Sequence, residues 1–327
     1  MSEQQPKRPE RPLIALVGPT AVGKTELSLR LAERFNGEIV SADSRLIYKG
    51  LDIGTAKPTP EEQARVPHHL IDVTTPDRPL SLAEYMRMAY AAIDDILRRG
   101  KVPFLVGGTG QYVWAVLEGW QVPEVPPDEE LRRRLEAEAA EKGGEALYRR
   151  LQEVDPEAAA LIDPKNVRRV IRALEVIAHT GRPFSEQRRK VPPPYDVLIV
   201  GLTRPREALY RRIDERVERM VALGLIEEVQ RLLDADYDPN LPALTGIGYR
   251  QIVEYLQGRV SLEEALHTVR KATRRYVRHQ YNWFRLKDPR IHWVDVSQPQ
   301  AAARVEALVE AFLTGRVPPS LERRREA

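Results

Sequence analysis

The chain has 327 residues, 42% apolar and 30% charged, a balance that supports a buried core and excludes a disordered or low-complexity chain. It holds no cysteine, which excludes disulfides, thiolate nucleophiles and cysteine-ligated metal sites. The net charge of +3 is too small for a global attraction to polyanions, so any such attraction must come from clusters. Two clusters stand out. Eight basic residues lie between Lys165 and Lys190 against Glu175 and Glu186, and eight between Arg270 and Arg290 against Asp288. The longest uncharged stretch, 102–117, carries Gly107, Gly108, Gly110 and Gln111 and is short of a membrane span. The opening residues, MSEQQPKRPERP, lack the apolar run of a secretory leader, so the cytoplasm is the expected location.

In chain order, residues 13–17 predict a buried strand, and 24–35 a helix whose Leu27, Leu31 and Phe35 recur at helical spacing before Gly37 stops it. Residues 38–42 predict a second strand. Ser81 with Glu84 forms a capping box for a helix burying Met86, Ala89, Ile93 and Leu97, closed by Gly100. A third strand, 102–106, leads into the turn Gly107-Gly108-Thr109-Gly110. From Glu118 a proline-rich joint (Pro123, Pro126, Pro127) opens charged helical segments with no strand signal until Asp196. Within them Val167, Ile171, Leu174 and Ile177 line a helix ended by Gly181, with Arg168, Arg169 and Arg172 facing elsewhere. Strand 197–200, a helix from Pro205 to Leu223, a last long helix capped by Ser261 and Glu264, and an edge strand 291–296 complete the pattern.

Strand and helix alternate as in an α/β fold, a parallel sheet with helices on both faces, interrupted by an all-helical insertion. The expected division is 11–117 and 196–297 for the core, 118–195 for the insertion, and 298–327 for a C-terminal helix and tail.

The chemistry begins at Gly18, Pro19, Thr20, Ala21, Val22, Gly23, Lys24 and Thr25. This GPTAVGKT pattern follows a predicted strand and opens a predicted helix, the context of a phosphate-binding loop. Backbone N–H groups converge there on phosphate oxygens, Lys24 neutralises charge, and Thr25 is placed to hold Mg²⁺. Asp43 and Thr109 follow the second and third strands, at the carboxyl edge where parallel sheets place ligands. No apolar strand ends in paired acidic residues, which weakens a nucleotide hydrolase. Arg212, Arg216 and Arg219 share the exposed side of one helix, as a solvated face or as a clamp on phosphates. Arg270, Arg274 and Arg278 form a stripe able to track a phosphate backbone, while Tyr276, Tyr281, Trp283 and Phe284 beside them are expected in the core. The adjacent His68 and His69 cannot share a helix face and are read as structural.

The chain resembles the bacterial tRNA dimethylallyltransferases over nearly its whole length. The resemblance is carried by GPTAVGKT at Gly18, SADSRLIYKGLDIGTAKPT from Ser41, PHHLIDV from Pro67, LVGGTGQY from Leu105, RRVIRALEV from Arg168, GIGYRQ from Gly246 and TRRYVRHQYNWFR from Thr273. It implies that the loop grips the diphosphate of dimethylallyl diphosphate, with Mg²⁺ beside Thr25 and Arg216 on the diphosphate. It implies Asp43 as the base for the adenine N6 amine and Thr109 as a contact to the target nucleotide of the tRNA or to the reacting ends. Asp43, Ser44, Arg45, Leu46, Arg168, Arg169, Arg172, Thr245, Gly246, Ile247, Gly248, Tyr249 and Arg250 match stretches that meet the tRNA anticodon stem-loop, and Arg132 is carried over across a joint of different length. Gln111 and Thr245 depart from the family pattern. A monomer without an obligate protein partner is expected. The readings left beside it are a P-loop kinase or nucleotide hydrolase and a catalytically silent RNA-binding module.

Overall fold

The structure is a computed structural model and describes residues 8–123, 125–187 and 189–321. In the first unit, Met1–Leu117 with Pro193–Ala327, six strands form one sheet of order β3-β2-β4-β1-β5-β6. They are β1 Pro12–Val17, β2 Gly37–Ser41, β3 His68–His69, β4 Val102–Gly107, β5 Asp196–Thr203 and β6 Ile291–Asp295. Every pairing is parallel. Register sets Ile14 beside Phe104 on one side and beside Leu198 on the other. Central β1 and β5 are buried on both faces, which is why they read as unbroken apolar runs.

The helices of this unit are α1 Lys24–Arg34, α2 Pro60–Arg65, α3 Leu82–Arg98, α4 Gly110–Glu118, α9 Arg206–Ala222, α10 Leu225–Asp234, α11 Tyr249–Leu256, α12 Leu262–Trp283 and α13 Ala301–Leu313. One core joins Leu27 and Leu31 of α1, Ile14 and Leu16 of β1, Val200 and Leu202 of β5, and Val305, Val309 and Phe312 of α13. Each fully buried aliphatic side chain there contributes about 1.5–3 kcal/mol. A separate core joins Ile47, Tyr48 and Leu51 to α10 and α11. Both expected capping boxes are present, Ser81 with Glu84 and Ser261 with Glu264.

Three details differ from the sequence expectation. Helix α1 ends at Phe35 and Asn36, whose φ of 49° reverses the chain, and Gly37 already belongs to β2. Ile96, more than Leu97, completes the buried face of α3. The two-residue β3 has no hydrophobic signature. It is held because His69 Nε2 meets Oε2 of buried Glu38 at 2.7 Å while His68 Nδ1 meets the Val66 carbonyl at 2.7 Å. Arg99, then Lys101 and His69, hold the Glu38 carboxyl well below the usual range against the effect of burial. Both histidines thus serve the scaffold, in agreement with the sequence expectation.

The second unit, Glu118–Pro192, contains α5 Glu129–Lys142, α6 Gly144–Val154, α7 Pro156–Leu161 and α8 Val167–Thr180. Leu135, Leu147, Leu151, Val170, Ile171, Leu174 and Val176 form its core, with Val167 and Ile177 packed at the margin. Among the described residues, no helix is long and apolar enough to cross a membrane.

Candidate active site

The loop from Gly18 to Thr25 turns out of β1 into α1. Gly18 has φ +141°, and a Cβ there would come within 2.5 Å of the Leu202 carbonyl oxygen, so only glycine lets the chain leave the central strand at this angle. Gly23, left-handed at φ 109°, is the N-cap and has no side chain to bond the first-turn N–H groups of α1. Those donors and the positive end of the helix are left for an anion.

The carbonyls of the loop are engaged by cationic side chains. Lys24 Nζ donates to Gly18 O at 3.0 Å and Pro19 O at 2.9 Å. Arg212 Nε donates to Ala21 O at 2.9 Å, and Arg204 Nε to Val22 O at 3.1 Å. Gln280 receives the Thr20 N–H at 2.8 Å. Burial pulls the Lys24 ammonium down from its ordinary 10.5 to about 8; the charge of Asp43 opposes the shift and that of Arg216 adds to it. Thr25, at the first turn of α1, is exposed.

Asp43 follows β2, and Thr109 follows β4, next to β1 in the sheet. Asp43 Oδ1 accepts the Arg45 N–H at 2.8 Å, which curls residues 43–45 into a local turn. Thr109 Oγ1 accepts the Ser44 N–H at 3.0 Å and meets Ser44 Oγ at 3.3 Å, fastening the two loops together. Tyr276 of α12 also bonds Thr109; its side chain is exposed rather than in the core as expected, and desolvation of its hydroxyl and then Asp43 push that group up to about 12. Arg216 reaches the same charge: its Nη2 donates to Thr55 O at 3.1 Å, burial lowers its pKa and Asp43 opposes that. The structure thus groups Lys24, Asp43, Thr109, Arg216 and Tyr276 electrostatically. Arg212 lies on the loop itself and Arg219 is exposed.

Sequence reasoning misses four residues here. Gln280, Tyr276 and Arg204 carry no local signature of ligand chemistry, and Tyr276 is expected in the core, where Phe284 alone of its aromatic neighbours is fully buried. Glu228 is the fourth. Its carboxylate accepts N–H groups of Asp52, Ile53 and Gly54 at 3.0, 2.8 and 3.1 Å and the Tyr249 hydroxyl at 2.6 Å. It therefore shapes the loop whose Thr55 carbonyl receives Arg216.

The residues expected to meet RNA separate into two groups. Arg45 donates to Pro242 O and packs beside Gly246, bringing the 43–46 turn against the 242–246 loop. Thr245 and Arg250 are exposed, and Leu46 and Ile247 are half-buried. Tyr249 instead is 1% exposed, with its hydroxyl on Glu228, and Gly248 is buried with its N–H on Gln251. In the second unit Arg168 and Arg169 are exposed. Arg172 is not free as expected: it bonds Glu175 Oε2 at 2.5 Å and the carbonyls of Pro123 and Val125 at 3.4 and 3.0 Å. Arg132 holds the other side of Glu175 at 2.8 Å. Burial alone would raise the Glu175 carboxyl; Arg132, the Asp128 N–H and Arg172 outweigh it and hold it low. Arg188, part of the expected basic cluster, lies outside the described residues. The stripe on α12 is likewise partly internal, because Arg274 bonds both Asp214 oxygens of α9 at 2.7 Å and Arg270 lies 3.6 Å from Glu218. Lys271 and Arg275 are exposed beside it.

A phosphate loop at the central strand, with a carboxylate and a threonine at the ends of the next two strands, defines an α/β protein of the P-loop architecture. The IPP transferase family model matches residues 46–287. A tRNA dimethylallyltransferase of Roseiflexus sp. is 59% identical, covering 84% of this chain and 90% of its own. The crystal structure of a full-length tRNA isopentenylpyrophosphate transferase from Bacillus halodurans is 43% identical and covers 93% of this chain and 97% of its own at a TM-score of 0.69. A eukaryotic dimethylallyltransferase caught acting on tRNA is 28% identical, covering 96% of this chain and 82% of its own at a TM-score of 0.80. The chain belongs to the IPP transferase family.

Proposed function

We propose that this enzyme transfers the dimethylallyl group of dimethylallyl diphosphate to N6 of an adenosine beside the anticodon of tRNA. The observation that carries the reading is the uncapped phosphate loop with Lys24 folded onto its carbonyls, beside the strand-end turn of Asp43 that Thr109 fastens through Ser44.

The donor's diphosphate lies on the uncapped start of α1, where N–H groups, Lys24 and Arg216 stabilise the charge that grows as the C1–O bond breaks. To reach it, Lys24 exchanges its two loop carbonyls for phosphate oxygens. The adenine N6 lone pair forms the new bond to C1, the electrons of the broken bond leave with the diphosphate, and the N6 proton passes to the Asp43 carboxylate. Thr109, at the joined ends of two loops, and Tyr276 of α12 border the acceptor. An adenine stacked in an anticodon loop reaches such a site only by swinging out of its stack. Arg45, Thr245 and Arg250 supply contacts for the anticodon arm, and Arg168 and Arg169 supply phosphate contacts from the second unit. The enzyme works as a monomer in the cytoplasm, where its tRNA is found.

The oxygen donors present fit Mg²⁺. Among the described residues no group of three histidine or acidic side chains is assembled for a metal. A hydroxyl at Thr25 together with donor phosphates is the ligand set Mg²⁺ prefers. Thr25 would hold it, and it would supply charge neutralisation of the departing diphosphate.

The test is mass spectrometry of nucleosides from unmodified tRNA incubated with the protein, Mg²⁺ and dimethylallyl diphosphate, with ATP in a parallel reaction. One adenosine gaining a C5H8 unit only with the allylic donor supports the reading. No gain, with ATP consumed in the other reaction, refutes it in favour of phosphoryl transfer.

A further inference from the structure

We propose that Gln280 is a positioning residue that sets the phosphate loop against the Thr109 turn, so that donor and acceptor meet in register. This rests on the donor assignment above. Gln280 projects from α12 and is 3% exposed. Its amide oxygen accepts the Thr20 N–H at 2.8 Å, and its amide nitrogen donates to Gly108 O at 3.0 Å. The two partners determine the amide's orientation, since a flip would set N–H against N–H and oxygen against oxygen. A carboxylate serves only the first partner and an aliphatic chain serves neither.

The arrangement is matched from both sides. A Cβ at Gly108 would lie 2.3 Å from Gln280 Nε2, so the glutamine occupies the space that glycine leaves. On the loop, Lys24, Arg212 and Arg204 hold carbonyls, and Gln280 holds a backbone N–H. With those groups turned outward, the remaining donors of the loop crest are free to converge on an anion. Gly108 immediately precedes Thr109, which binds Ser44 and Tyr276. Tyr276, Gln280 and Trp283 follow each other along one face of α12, and Trp283 lies against Gly110, where a Cβ would come within 2.2 Å of its ring. One helix face therefore touches the donor loop and the acceptor turn together, and Gln280 is the side chain that bonds to both. Displacing one reacting partner by about 1 Å costs on the order of 100-fold in rate.

The experiment compares wild type with Gln280→Met and Gln280→Glu. Inorganic diphosphate binding in the presence of Mg²⁺ is read by calorimetry, and kcat and donor KM are read from allyl transfer to tRNA. Both variants are expected to bind diphosphate at least about tenfold more weakly and to lose on the order of 100-fold in kcat at saturating donor. Their tRNA affinity is expected to stay close to wild type, while their melting temperature falls modestly because buried backbone groups lose their partner. A variant that binds diphosphate and turns over like wild type overturns the proposal. Parallel loss of diphosphate binding and tRNA binding in both variants also overturns it, because Gln280 would then be a general fold contact. A wild-type chain that binds no diphosphate refutes the donor assignment itself, before any variant is compared, and the role of Gln280 with it.

Discussion

Lys24 makes the donor site sensitive to pH in a direction that can be worked out. In the free protein its ammonium loses a proton at about 8, chiefly through burial, whereas in contact with a diphosphate it stays charged well above that. Below pH 8 the donor meets a lysine that is already protonated, and affinity is flat. Above it, binding must take up a proton, so affinity falls. For a free-state value of about 8 the loss between pH 7 and pH 9 is about tenfold, or ~1.4 kcal/mol. The donor's own phosphates confuse little in this window, because phosphate esters complete their ionisation near about pH 6. Calorimetric titration with dimethylallyl diphosphate at both pH values, in two buffers of different ionisation enthalpy, gives affinity and proton uptake together. Uptake should approach one proton at the higher pH. Lys24→Arg keeps the charge without the titration and should flatten the profile. A flat wild-type profile, or an equal slope in Lys24→Arg, would refute the reasoning. The same group has a consequence for folding. Its folded pKa lies below the unfolded one, so the unfolded chain binds more protons between about pH 8 and 10.5. The destabilisation from burying Lys24 is therefore fully present below pH 8 and is relieved as pH rises through that window.

Other perturbations separate chemistry from scaffold. Asp43→Asn should reduce allyl transfer by at least about 100-fold while tRNA binding by filter assay stays near wild type, since only the proton acceptor is removed. Glu228→Ala leaves three backbone N–H groups and the Tyr249 hydroxyl without their acceptor. It should cost about 3 kcal/mol or more in urea unfolding, and a loss under about 1 kcal/mol would show that the loop finds other partners. Arg168→Gln with Arg169→Gln should weaken tRNA binding and flatten its dependence on salt by about 0.7 to 0.9 log units for each phosphate no longer neutralised. Arg172→Gln should act on stability instead, because it strips a buried carboxylate of a partner. An unchanged melting temperature with a flattened salt slope would reverse that assignment.

What is legible in the sequence is local or periodic. The phosphate loop is eight consecutive residues bounded by a strand and a helix, and the two capping boxes are reciprocal pairs three residues apart. Asp43 and Thr109 can be placed at strand ends because strands are short and their ends are abrupt. The misplaced residues share a different property. Arg172 and Arg274 look like free cations in the sequence because their partners, Glu175 and Asp214, become relevant only once burial and packing are known, although Glu175 at three residues from Arg172 is a signal that spacing offers. Tyr249 sits in a matched block, and a block cannot say which of its members face inward. Gln280 bridges Thr20 and Gly108 across most of the chain, and a glutamine on a basic helix announces nothing.

The position of β5 has a consequence for how the molecule is made. β5 lies directly beside β1, and the Arg11 N–H bonds Asp196 across a separation of 185 residues. Between them the ribosome must deliver the whole second unit, whose core is formed by helices that follow one another closely in the chain. At about 5 to 20 residues per second, β1 waits on the order of ten seconds or more for its second neighbour. During that time its open side presents unpaired backbone groups, the condition that favours wrong pairing. The helical segment, dominated by near-neighbour contacts, can finish folding in that interval. The nascent chain therefore acquires its α-helical unit before it can complete the phosphate loop's foundation, and chaperone demand during synthesis should centre on the first hundred or so residues.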